Sequence, residues 1–326
     1  MRVLVTGGAG YIGSVVTEKL VEQGHKVVAL DNLTHGHPAA VHPAAKLVRV
    51  DLLDGDGLKR ILATHPCDAV VHLAAEALID ESLRDPGRFF RANVSGGLNL
   101  LEAMVATGVT RLIFSSTAAV YGEPEAVPIV EQAPRRPVNS YGESKLMFER
   151  MLSWYRRAHG LRHISFRYFN AAGATARCGE FHVPETHLIP ILFEAAVGQR
   201  EAVSLFGTDY DTPDGTCIRD YVHVSDIAQA HVLALAKIDG VEAGAYNIGT
   251  GAGYSNRAVI QAVRDVTGCD VRVLADNRRP GDPARLVASS DKLRRELGWE
   301  PRWSELDTIV DSAWQWRRRH PCGYAA

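Results

Sequence analysis

A chain of 326 residues exceeds the usual size of a single core, and its 46% hydrophobic and 23% charged content is that of a folded globule, so intrinsic disorder is excluded. With 36 basic against 38 acidic side chains and a formal charge of −2, no global field recruits nucleic acid or an anionic membrane. The five cysteines are odd in number, widely spaced and free of CxxC, which argues against a disulfide frame or a thiolate metal site.

The chain starts "MRVLVTGG", one basic residue and an apolar run too short for a signal-peptide core, so a cytoplasmic location is expected. Short apolar runs then alternate with amphipathic stretches: "RVLVT", "KVVALD", "KLVRVDL", "AVVHLAA", "RLIFSS" and "ISFRYF" read as buried strands. That rhythm predicts an α/β fold, a Rossmann-type doubly wound parallel sheet with ligands at the carboxyl ends of its strands. After about Asn170 the rhythm breaks into a stretch rich in Gly, Pro and His, which predicts a smaller mixed α/β substrate-binding lobe. The stretch "VSDIAQAHVLALAK" reads as a core helix returning to the first domain. The expected division is 1–169 and about 223–245 for the nucleotide-binding domain, and about 170–222 and 246–326 for the lobe.

In chain order, the first chemistry-bearing segment is "VLVTGGAGYIGS". Gly7, Gly8, Gly10 and Gly13 join a strand to a helix opened by Tyr11 and Ile12, and that helix N-terminus offers free N–H groups to a pyrophosphate. At the end of the second strand, "LDNL" puts Asp31 eighteen residues past Gly13, where a carboxylate accepts hydrogen bonds from a ribose and repels a 2′-phosphate. NAD is therefore expected over NADP, with Asn32 beside the ribose. Asp51, followed by Leu52, suits an adenine contact and equally well an ordinary strand-end turn. His35, His37 and His42 lie in a turn-rich stretch without carboxylate or thiol neighbours, so no metal is expected. Leu73, Ala74 and Ala75 of "HLAA", and Ser115, Ser116 and Thr117 of "FSSTAAVYG", end the next two strands on the nicotinamide side.

The segment "NSYGESK" holds Tyr141 and Lys145 four residues apart at the start of a helix expected over about 141–158, capped by Asn139 or Ser140. An isolated YxxxK is usually a chance surface pair. Joined to a strand-end hydroxyl, it makes a unit for moving a proton and a hydride, and the ammonium is expected to lower the phenol's pKa.

These segments, with "YGESKL", "RYFNAAGA", "PETHLIP", "FGTDYDTPDGTCIRDYVHVSDIA", "YNIGTG", "RRPGDPARLVAS" and "ELGW", resemble the extended short-chain dehydrogenase/reductase superfamily and, within it, the UDP-glucose 4-epimerases, also called UDP-galactose 4-epimerases. The resemblance covers nearly the whole chain. It implies that Tyr141 removes the proton of the sugar 4-hydroxyl while tightly bound NAD takes the C4 hydride. Thr117 would bind that oxygen, and Lys145 would tune Tyr141 and hold the nicotinamide ribose. The 4-keto sugar would turn over and be reduced on its other face. It further implies that Asn93 and Tyr168 flank the nicotinamide, and that Asn170, His187, Leu188, Phe206, Arg219, Tyr221, Arg279 and Asp282 line the UDP-hexose site. Leu286 would stand at the sugar-pocket gate, where leucine leaves room for slower turnover of UDP-N-acetyl sugars. Ala77 replaces the family's common lysine near the cofactor phosphates. A homodimer is implied, through helices in the 85–107 region and at Tyr141, with Leu98, Leu101, Met104 and Met147 as candidate contacts. The alternatives are other nucleotide-sugar enzymes of the superfamily, a 4-ketoreductase or a dehydratase. Ala118 and Ala119 stand where a dehydratase needs its acid and base.

Overall fold

The computed structural model describes residues 1–279 and 281–324; Pro280 of the "RRPGDP" segment lies outside them. Thirteen strands are present among the described residues: β1 (Arg2–Thr6), β2 (Lys26–Asp31), β3 (Lys46–Arg49), β4 (Ala69–His72), β5 (Arg111–Thr117), β6 (Arg162–Tyr168), β7 (Asn170–Ala172), β8 (Val203–Phe206), β9 (Ile218–His223), β10 (Gly244–Ile248), β11 (Gly253–Ser255), β12 (Val273–Asp276) and β13 (Arg285–Leu286). Seven of them form one parallel sheet in the order β10-β6-β5-β4-β1-β2-β3. The order reverses between β1 and β4, so a crevice opens at their carboxyl ends.

Alternation along the strands supplies two apolar faces. Val3 and Val5 of β1 join Val71, Ile164 and Phe166 beneath the helices Tyr11–Glu22 and Val224–Lys237. Leu4 turns the other way, joining Val70, Leu112 and Phe114 against Leu100, Met104, Phe148 and Leu152 of the helices Gly96–Thr107 and Ser140–His159. Each such leucine contributes about 1.5–3 kcal/mol by burial. Leu101 and Met104 are fully buried here, which removes them as dimer contacts, whereas Leu98 stays exposed. The expected third strand is shorter than "KLVRVDL": after Arg49 the Val50 N–H still bonds Asp31 O, and the Asp51 carboxylate then turns the chain by accepting the Leu53 N–H at 2.8 Å.

The remaining strands build the lobe. β9 lies between β11 and β13 and also pairs with β7, while β12 pairs with β8. Buried Asp220 on β9 accepts N–H bonds from Thr250, Gly251 and Ala288 at 2.8–3.0 Å, tying the turn after β10 to the segment after β13. No helix among the described residues is long and apolar enough to cross a membrane.

One polar cluster penetrates the sheet end. Arg167 of β6 makes a two-pronged pair with Glu149, at 2.7 and 3.0 Å, and both are nearly solvent-free. Ser116 of β5 donates to the same carboxylate at 2.6 Å, and Arg167 also reaches the Tyr121 hydroxyl and Glu131 O. Removing one partner leaves a buried charge uncompensated. Arg167→Met is therefore expected to cost about 3–5 kcal/mol in urea unfolding. The double variant with Glu149→Gln should lose clearly less than the sum of the two single losses; strict additivity would contradict the pairing.

Candidate functional site

Two cavities meet at the carboxyl ends of the sheet, one of 560 Å³ and one of 530 Å³. They share Tyr11, Ala77, Leu78, Ile79, Asn170, Ala171, Glu180 and His187, so they form one continuous groove.

The first cavity follows the glycine turn. Gly7 has φ +69°, and a Cβ there would lie 2.6 Å from Ala74 N; one on Gly13 would lie 1.9 Å from Gly7 O. These contacts force glycine and press β1 against the end of β4. Gly10 precedes the helix Tyr11–Glu22, and no side chain caps it, so its first N–H groups face the cavity beside Gly10, Tyr11, Ile12 and Gly13. Asp31, Asn32, Asp51 and Leu52 line the β2 and β3 end, and Leu73, Ala74, Ala75, Ser115, Thr117, Tyr141 and Tyr168 line the other. Asp31 accepts the Ala9 and Leu33 N–H groups at 3.0 and 2.9 Å, which fixes its carboxylate at the cavity wall. Asn32 donates to Asp51 at 2.9 Å. A glycine cradle with no room for Cβ, an uncapped helix N-terminus and a fixed carboxylate at the far end fit a dinucleotide.

Asn139 caps the helix Ser140–His159 by accepting the Gly142 N–H at 2.8 Å. Tyr141, Lys145 and Glu149 then recur on one helix face. Lys145 Nζ donates to Ser115 O at 2.8 Å and lies 4.9 Å from the Phe114 ring centroid and 6.0 Å from that of Tyr141. Burial pushes the Lys145 ammonium down to about 7. Burial also raises the Tyr141 phenol, opposed in part by the nearby Thr117 hydroxyl, which lines the same cavity. The phenol's pKa is thus raised where the sequence predicts a lowering, because desolvation dominates, while Lys145 Nζ is turned to Ser115 O. The Tyr168 hydroxyl meets His231 Nε2 at 2.7 Å, and Ser116 is spent on Glu149.

Asn93 does not line either cavity. Its amide oxygen accepts the Glu76 N–H, and its amide nitrogen donates to Glu76 O and Ser144 Oγ, all at 2.9–3.0 Å, so its groups are used in fixing the segment behind the wall. Ala77 does line both cavities, and Arg88 and Arg91 line the first, Arg88 held by Glu76 at 2.7 Å and Glu81 at 2.9 Å. Sequence reading missed Arg88 because its helix, Pro86–Phe89, carries no motif.

The second cavity gathers Asn170, His187, Leu188, Phe206, Arg219, Tyr221, Arg279 and Asp282 from five separate stretches of chain. Arg279 stacks 4.1 Å over the Phe206 ring, and Arg219 pairs with Asp282. Two guanidinium groups in one cleft suit a diphosphate. Leu286 lines neither cavity. Pairing of β13 beside Arg219 on β9 turns it, with Phe169, against Ala118, Val120, Tyr121, Ile129 and Leu146.

The profile of the NAD dependent epimerase/dehydratase family matches residues 3–249. The chain belongs to that family. It is 48% identical over 329 residues to a UDP-glucose 4-epimerase of Halalkalibacterium halodurans, covering 100% of this chain and 98% of the relative. A crystal structure of a UDP-glucose 4-epimerase superposes with a TM-score of 0.97 at 47% identity, over 100% of both chains. The Bifidobacterium longum UDP-glucose 4-epimerase, crystallised with NAD+ and UDP, superposes with a TM-score of 0.94 at 35% identity over 99% of this chain and 100% of that one. Within this epimerase family fold, the buried lysine has a measurable consequence. The folded pKa of Lys145 is depressed, so between about pH 7 and its unfolded value near 10.5 the unfolded chain binds the extra proton. Its burial penalty is fully present below pH 7 and relieved as pH rises through that window. Lys145→Met, freed of bound nucleotide, should therefore gain stability over the parent by more at pH 6 than at pH 10, by a few kcal/mol at most. A difference independent of pH, read by urea unfolding, would contradict the depressed pKa.

Proposed function

We propose that this chain is an NAD-dependent isomerase of carbohydrate metabolism that interconverts UDP-glucose and UDP-galactose at C4, with slower turnover of UDP-N-acetyl sugars. The observation that carries the reading is the Tyr141 phenol and Thr117 hydroxyl together in the wall of a dinucleotide-shaped cavity that opens into a cleft holding Arg219 and Arg279. Bound NAD supplies a hydride acceptor, and later donor, for the sugar C4. Burial disfavours ionisation of Tyr141, and the positive charge of bound NAD would offset this; as phenolate it takes the proton from the 4-hydroxyl as C4 becomes a ketone and returns it after the sugar has turned its other face. Thr117 holds that oxygen in line with the phenol. Lys145 anchors the helix to β5 through Ser115 O and holds the nicotinamide ribose, and Tyr168 closes the nicotinamide end. Asp31 reads the adenosine ribose, while Arg219 and Arg279 hold the diphosphate and Phe206 faces the nucleotide.

Elimination of water would need an acid and base after Thr117, where Ala118 and Ala119 stand. Leu286 packs behind the first cavity through the apolar cluster it shares with Phe169, so its influence on the sugar is indirect. We read the enzyme as a cytoplasmic homodimer. Leu98 and Val105 on the helix Gly96–Thr107, and Trp154 on the helix Ser140–His159, are exposed apolar groups that a second copy would cover. The five unpaired thiols suit a reducing compartment.

Tyr141→Phe should lower turnover of UDP-galactose by about 10²–10⁴-fold, the worth of a positioned proton acceptor. Its NAD content, measured after heat release, should equal that of the parent because the ring still packs. Near-normal turnover in that variant would refute the assignment.

A further inference from the structure

We propose that Glu180, His182, Glu185 and His187, on the loop between the two cavities, bind one divalent first-row transition-metal ion, Zn²⁺ in preference to the others. One ligand atom from each of the four lies within 4.8 Å of the rest. Zinc bonds of about 2.0–2.2 Å in a tetrahedron set donor atoms about 3.3–3.6 Å apart. The observed separations straddle that range: His187 Nδ1 lies 2.8 Å from Glu185 Oε1 and 3.8 Å from Glu180 Oε1, while His182 Nδ1 touches Glu180 Oε1. Small adjustments of four side chains admit the ion.

The charge balance points the same way. The Glu185 and Glu180 side chains are only 4% and 12% exposed, and their only cationic partners among the described residues are the two imidazoles. Two neutral imidazoles and two carboxylates neutralise a divalent ion completely. Mixed nitrogen and oxygen donors favour Zn²⁺, and disfavour Mg²⁺ or Ca²⁺, which prefer oxygen alone. The loop is held by contacts other than these four side chains: Phe181 O meets His37 Nε2 at 3.0 Å, and the Gly179 N–H donates to the Tyr324 hydroxyl at 2.9 Å. Such outer support keeps donor atoms converged.

The cysteine spacing and the turn-rich stretch of His35, His37 and His42 both point away from a metal in the sequence. The spacing E-x-H-x-x-E-x-H of residues 180 to 187 is the sequence signal that points to one. Glu180 and His187 line both cavities, so an ion here would brace the wall shared by the two ligands. The role is structural and requires no step in the turnover.

Purified protein, with its nucleotide retained, would be equilibrated with Zn²⁺ or Co²⁺, dialysed against metal-free buffer and analysed for metal and for visible absorption. The expected result is about one equivalent of metal per chain with the intense d–d bands of four-coordinate Co²⁺, and loss of both in the Glu180→Gln/His182→Ala double variant. Crystals of the unaltered protein supply a second reading, an anomalous peak at the zinc edge among the four donor atoms. Absence of stoichiometric metal, uptake unchanged in the double variant, or a peak elsewhere would each overturn the proposal.

Discussion

Three successive turns of one helix docked onto one strand govern the geometry of this protein. Tyr141, Lys145 and Glu149 share a helix face turned to β5: Lys145 donates to Ser115 O, Glu149 accepts from Ser116 Oγ, and Tyr141 lies with Thr117 in the wall of the first cavity. The Arg167 pair then ties Glu149 to β6. Helical period and strand rise are fixed quantities, so these two bonds set the helix's rotation and its position along the strand together. The phenol's place against Thr117 follows from that register.

Placement of the groove depends on a second constraint, close approach at the point where strand order reverses. Gly7 and Gly13 let backbone meet backbone where any Cβ would collide, and the uncapped helix start is thereby brought to the crevice. The lobe closes over it through Asp220, whose three backbone bonds hold the turn after β10 against the segment after β13. Arg219 is the neighbour of Asp220 on β9, so the clamp that joins the lobe to the sheet also aims a guanidinium into the second cavity.

Local signals made much of this legible. Strand runs such as "KVVALD", the glycine turn and the Tyr141 to Lys145 spacing depend on neighbours a few residues away, and the chain shows them directly. What depends on distant partners was not legible. Nothing near Glu149 announces Arg167, eighteen residues on. The spacing of Lys145 predicts its nearness to Tyr141 and says nothing of burial, which reverses the expected sign of the phenol's pKa. Asn93 faces the Glu76 backbone because the segment after β4 needs partners for its polar groups, and Leu286 turns away from both cavities because β13 pairs with β9 in one register. Family resemblance named both residues, and resemblance carries no information about which way a side chain points.

The central claim is that one phenol moves the proton while the hydrogen removed from C4 is held by the bound nucleotide and returned to the same carbon. UDP-galactose carrying deuterium at C4, incubated with the protein as purified and without added NAD, tests this directly. The account predicts UDP-glucose with the deuterium retained at C4, and none released to water. Exchange of the label with solvent, or epimerisation that requires added nucleotide for every turnover, would contradict it.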